Sequence, residues 1–234
     1  MKKSIILILA VGVLFARASC NQGGTKKVKL ETNIDSVSYA IGVMIGNNNL
    51  QQLSSFPSGD QIKVDVLSAA FASAMAKENV MITDEDASAL ISKFAQSATE
   101  KESQKNLEEG NAFLEKNKAR EGVVTTESGL QYEIITKGTG PKPTADDQVK
   151  VDYTGTLIDG TVFQSSKDQG QPITLGVTQF IPGWTEALEL MPVGSKWKIY
   201  VPANLAYGER GAGNDIGPNA TLIFELELLE IVKK

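Results

Sequence analysis

The chain changes character near residue 129, and this break constrains its fold more than any other feature of the 234 residues. Residues 129–234 hold seven of the eight prolines, thirteen of the 21 glycines and nine of the fifteen aromatic residues, both tryptophans included. Ahead of the break the chain is rich in Ala, Ser, Asn, Gln and Glu. Proline and glycine cut a chain into short segments, whereas long stretches without them favour helix. The break therefore predicts an α+β protein: helices first, then a turn-rich β region. No internal repeat is visible.

The helical part has a readable periodicity. Asp35 or Ser36 is placed to cap a first helix, and Val37, Ile41, Met44 and Ile45 follow at helical spacing. Leu67, Ala70, Phe71, Ala74 and Met75 share one face of a second. Thr83 caps a third, with Asp84, Glu85 and Asp86 in its first turn, where the helix dipole favours acids. Its apolar face runs through Leu90, Ile91, Phe94, Ala95 and Ala98, then vanishes over residues 99–106 (TEKESQKN). A helix continuing to Ala119 would be about 50 Å long. A stretch polar all round reads as a solvent-bridging linker, supported by pairs such as Glu102–Lys105 and Lys105–Glu109, with Gly110 as its weak point. The short helices over residues 33–80 are too small to enclose a core, and self-association is the natural remedy.

The second part alternates with period two. Val149, Val151 and Tyr153 oppose Lys150, Asp152 and Thr154; Trp197, Ile199 and Val201 oppose Lys196, Lys198 and Tyr200. Leu222, Phe224, Leu226 and Leu228 oppose Glu225 and Glu227. These are half-buried antiparallel strands. One short helix, Trp184 to Met191, presents Trp184, Ala187, Leu188 and Met191 on one face. The expected architecture is a twisted antiparallel sheet wrapped on that helix.

Composition narrows the chemistry. There is no histidine and one cysteine, so Ser-His-Asp and Cys-His catalysis, a cysteine or histidine zinc site and an intrachain disulfide are excluded. Net charge is −5 without a basic block beyond the first residues, a poor match to nucleic acid. Gly211, Gly213 and Gly217 imitate a nucleotide loop, but Pro218 and a strand follow where a helix N-terminus is required. Asp146–Asp147 and Glu225/Glu227 read as surface charge, and no metal-ligand cluster is visible.

At the other end, Lys2 and Lys3 precede the apolar run Ile5–Phe15, which is too short for a comfortable membrane span and suits a signal peptide. Ala18 and Ser19 stand before Cys20 as in a lipoprotein box, although Arg17 replaces the usual aliphatic residue; Ala16-Arg17-Ala18 also fits ordinary cleavage. Export is expected, with Cys20 as a lipidation site and the periplasm or outer membrane as destination.

Aromatic and apolar residues gather at turns and strand ends: VDYTGTLIDGTVF (151–163), FIPGW (180–184), LAYG (205–208) and IGPNATLIF (216–224). Over residues 128–234 this set resembles the FK506-binding (FKBP) family of peptidyl-prolyl cis–trans isomerases. DSVSYAIG (35–42) and the segment from NAFLEKN to SGLQY (111–132) are similar to its exported two-domain bacterial branch, the macrophage infectivity potentiator type. The resemblance implies a signal peptide over 1–19, a tether over 20–32, a helical dimerisation domain with stalk helix over 33–127 and the isomerase domain over 128–234. It implies a pocket with catalytic walls Tyr153, Phe163, Tyr207 and Phe224 on a floor of Trp184. Phe180, Ile181, Ile216 and Gln164 would contact substrate, with hydrogen bonds from the Ile181 N–H and the Tyr207 hydroxyl.

The implied partners are proline-containing unfolded or exported polypeptides, macrolide inhibitors of the FK506 class, a second copy of the chain, and the membrane through Cys20. No cofactor or metal is implied. Two departures stand out. Gln164 replaces the family's aspartate, which accepts a hydrogen bond from the tyrosine matched by Tyr153. Near residues 171–175 a phenylalanine is missing, and either Ile173 or Leu175 fills its space. Weakening through Gln164 leaves a non-enzymatic holdase or binding module as the alternative.

Overall fold

The computed structural model describes residues 28–168 and 170–232. The signal peptide, Cys20 and most of the tether lie outside the described residues. The chain divides into two compact units, one comprising residues up to 51 with 62–80, the other residues 52–61 with 81 onward.

The first unit holds most of α1 (Asn33–Ser54) and all of α2 (Val64–Met75). α1 begins earlier than expected, because Thr32 rather than Asp35 or Ser36 caps it. The Thr32 hydroxyl accepts from the Asp35 N–H (3.2 Å), while the Asp35 carboxylate accepts from the Thr32 N–H (2.8 Å) and hydroxyl (2.7 Å). This reciprocal box satisfies donors that Asp35 alone would leave open. Neither helix buries a residue within the chain.

The second unit opens with α3 (Asp84–Asn117), 34 residues without interruption. Thr83 caps it, accepting from the Asp86 N–H at 3.2 Å. Seven strands follow among the described residues: β1 (Val123–Thr125), β2 (Gln131–Thr136), β3 (Gln148–Leu157), β4 (Val162–Ser165), β5 (Ile173–Gly176), β6 (Lys196–Val201) and β7 (Leu222–Val232). All pair antiparallel in the order β1-β2-β6-β7-β3. β5 and β4 share the far edge of β3, along residues 148–151 and 154–156 respectively. β1 thus joins the sheet from upstream of residue 128.

α4 (Pro182–Leu190) lies on the inner face, where Trp184, Ala187 and Leu188 meet Val149, Val151, Ile199, Val201 and Leu226. It starts two residues before the expected Trp184, since proline suits the first helical turn, and Met191 has already left helical backbone.

The outer face differs from expectation. The alternation puts Tyr200 on the face it shares with Lys196 and Lys198, yet it is buried with Ile223 under Leu114 and Phe113 at the end of α3. Strand alternation reports which residues share a face and is silent on whether that face is covered. The polar stretch of α3 does not bridge solvent either. Asn106 donates to the Pro218 carbonyl (2.8 Å), and Asn219 donates to the Ser103 hydroxyl (2.8 Å). Hydrogen bonds to a loop dock this face, and hydropathy cannot see them. The expected Glu102–Lys105 and Lys105–Glu109 ion pairs are not formed; amide–carboxylate bonds Gln96→Glu100 and Gln104→Glu108 support the helix instead. Gly110 is buried against Thr221, whose hydroxyl occupies the place a Cβ would take. The presumed weak point is a close-approach site.

Candidate functional site

The N-terminal end of α4 brings Phe180, Ile181 and Trp184 beside the β3–β7 pair. Trp184 is the hub, only 3% exposed. Tyr153 meets it edge-on (5.0 Å between centroids, 80° between planes), as does Phe224 (5.1 Å, 90°), and Phe180 lies nearly parallel to it (4.9 Å, 28°). Phe163 on β4 meets Phe224 edge-on at 5.6 Å. Edge-to-face contacts place the positive rim of one ring on the negative face of the next, so the group is favourable beyond its buried area.

Two residues outside the expected set shape this bowl. Gly155 on β3 faces the Phe163 and Phe224 rings, and a Cβ there would overlap both. A glycine inside an alternating strand was the available signal. Ser166 is fully buried; its hydroxyl accepts from the Tyr153 N–H (2.9 Å) and donates to the Asp152 carboxylate (2.7 Å). It fixes the Tyr153 backbone, and no sequence pattern announces that.

In the bowl, the Ile181 N–H, the Tyr207 hydroxyl and the buried Trp184 indole N–H have no acceptor among the described residues. An unpaired buried donor costs free energy until it finds a partner. Burial first, and the nearby Tyr207 second, hold the Tyr153 hydroxyl above the ordinary tyrosine range. Ile216 is buried with this cluster and sits in a bridge to Ala212. Tyr207 is 40% exposed in the loop between β6 and β7.

Gln164 pairs with Gly155 across β3 and β4, but its side chain is exposed and accepts nothing from Tyr153. The glutamine amide does not stand in for a carboxylate acceptor here, because the side chain turns to solvent. Of the two candidates for the missing phenylalanine, Ile173 packs against the core cluster that holds Tyr153 and Trp184, while Leu175 is exposed. Among the described residues no group of three metal-ligating side chains converges. The bowl can take an apolar ring and offer hydrogen bonds to the polar backbone around it.

Comparison with known proteins matches residues 140–229 to the FKBP-type peptidyl-prolyl cis-trans isomerase family, and residues 34–134 to the domain amino terminal to such isomerases. The chain is 42% identical over 240 residues to "Outer membrane protein MIP" of Legionella longbeachae, covering 100% of this chain and 99% of the relative. It is 47% identical over 199 residues to the FKBP-type 22 kDa peptidyl-prolyl cis-trans isomerase of Escherichia coli, covering 83% and 94%. Among solved structures, FkpA from Escherichia coli superposes with a TM-score of 0.68 at 33% identity, covering 87% and 98%.

Proposed function

The chain belongs to the FKBP-type peptidyl-prolyl cis–trans isomerase family, and we propose that the bowl around Trp184 is where it isomerises X–Pro bonds of exported polypeptides. Family membership favours the enzyme over the non-enzymatic alternative. The carrying observation is the buried Trp184 indole, its own N–H unpaired, with three aromatic neighbours beside the unused Ile181 N–H and Tyr207 hydroxyl.

Rotation about a peptide bond meets a barrier of about 18–20 kcal/mol because it breaks amide resonance. The planar amide is the more charge-separated form, so an apolar site disfavours it relative to the twisted one. In this reading the prolyl ring rests on Trp184 between Tyr153, Phe163 and Phe224. Phe180 and Ile216 complete the wall. The Ile181 N–H and the Tyr207 hydroxyl take carbonyls of the flanking chain. No covalent step is required, which suits a chain without histidine.

Catalytic efficiency on a short prolyl peptide tests the site. Trp184→Leu removes the floor and is expected to cost more than about tenfold, with folding verified by thermal melts. A folded variant with full activity overturns the assignment.

The finer reading is an exported dimer. α1 and α2 expose Ile41 and Met44 at 53% and 66% and Phe71 and Met75 at 44% and 68%, an apolar face suited to a second copy. Export, Cys20 acylation and a periplasmic or outer-membrane site rest on the N-terminal sequence. No helix among the described residues is long and apolar enough to cross a membrane. The intact mass of envelope-extracted protein tests acylation. Macrolides of the FK506 class are expected to occupy the same bowl.

A further inference from the structure

The loop from Tyr207 to Thr221 carries two walls of the bowl, and it is fastened to α3. Its two ends are tied together where the Asn219 N–H donates to the Gly208 carbonyl (2.8 Å), next to Tyr207. Asn219 holds a left-handed backbone (φ 54°), a conformation asparagine tolerates better than most residues. Its side chain donates to the Ser103 hydroxyl at 2.8 Å, and Asn106 donates to the neighbouring Pro218 carbonyl at 2.8 Å. Gly217 lies against the Glu102 carboxylate, where a Cβ would overlap it. Three consecutive loop residues thus meet one polar stripe of α3. Within the loop, the Ala212–Ile216 bridge carries this anchoring to the Ile216 wall.

We propose that Ser103 and Asn106 of α3 are positioning residues for the isomerase reaction, setting the loop that presents Tyr207 and Ile216 to the substrate. The inference rests on the bowl being the isomerase site. It gives the polar stripe a task beyond spacing: the helix that leads to the sheet is also a brace for one wall of the site. Loss of the brace leaves the core cluster intact and lets the Tyr207 hydroxyl drift from the substrate carbonyl. A small misplacement of a donor in a bound complex is costly to rate.

The test is a double-mutant cycle in the full chain, read as kcat/KM on a short prolyl peptide below the melting transition. Asn106→Asp keeps the shape but cannot donate to the Pro218 carbonyl. Combined with Ser103→Ala, it is expected to lower efficiency about fivefold. Ser103→Thr, which keeps the hydroxyl, restores its half of the loss. Gln104→Ala, whose side chain serves only Glu108 on the same helix, leaves the rate unchanged. In a Tyr207→Phe background the α3 variants are expected to add a smaller loss than in the parent, about twofold, since one of the two groups they position is gone and only the Ile216 wall is left to shift. A double variant as active as the parent, or an equal loss in both backgrounds, overturns the proposal and leaves the bowl standing. Tyr207→Phe with full activity sinks the role of Tyr207 in the bowl, and the brace with it.

Discussion

Gln164 sits on the strand that lends Phe163 to the bowl, yet its amide faces solvent. An aspartate here would offer the Tyr153 hydroxyl a charged acceptor. Such bonds are worth about 1.5–3 kcal/mol against about 1 for neutral ones. The carboxylate must give up part of its hydration to turn inward, which takes back some of the gain. Gln164→Asp is therefore expected to raise kcat/KM a few-fold, and Tyr153→Phe to abolish that gain. An unchanged rate in Gln164→Asp means the pocket does not lack that charge. Tyr153 carries a second consequence. Burial raises its hydroxyl above the ordinary range, and burial does the same to Tyr200 despite the opposing Arg120. A raised folded value contributes stability present below the unfolded tyrosine value, about 10, and lost as pH rises through the folded one. The Tm is expected to fall above pH 10, and to fall less in Tyr153→Phe; equal slopes would contradict the burial argument.

Among the elements, α3 decides most. Its end covers Tyr200 and Ile223, and a polar network fixes it there. Asn117 donates to Gln131 (2.8 Å), and Arg120 donates to Asn117, to the Tyr200 hydroxyl (both 2.8 Å) and to Glu133 (3.1 Å). Asn117 and Gln131 are nearly fully buried, so each amide left unpaired would be costly. Gly110 is the close-contact point of the same interface. Alanine in a helix interior ordinarily gains about 1 kcal/mol over glycine. Here Gly110→Ala is expected to lower the Tm, because its Cβ meets the Thr221 hydroxyl, and Thr221→Ala in the same chain should recover part of the loss. A higher Tm in Gly110→Ala alone would show that the helix is not held this closely.

For the whole molecule, the two units face different tasks. α1 and α2 bury nothing within one chain, whereas the sheet unit has a closed core. Residues 21–234 are expected to sediment as a dimer and residues 106–234 as a monomer; a monomeric longer chain at micromolar concentration would sink the dimer. A chain starting at 128 lacks Phe113, Leu114 and β1. Uncovering Tyr200 and Ile223 costs up to about 1.5–3 kcal/mol for each fully exposed apolar side chain. Its Tm should fall below that of residues 106–234, measurable by calorimetry.

By itself the sequence determined what is local. Period two marks the strands and their inner face, and period 3.6 the helices, each from residues within a few positions of one another. The candidates for the bowl came with the family resemblance of the aromatic motifs. What covers a face lies far away along the chain. The alternation puts Tyr200 on one face with Lys196 and Lys198, and only α3 lying over it buries it. The TEKESQKN stretch reads as a bare linker until the loop at 217–219 meets it. Ile173 and Leu175 are equivalent in a list and differ only once β5 is paired with β3. Gly110 reads as a defect until Thr221 arrives at its Cα. Tertiary structure decided these because burial and hydrogen-bond partnership belong to pairs of surfaces, and a sequence states only one surface at a time.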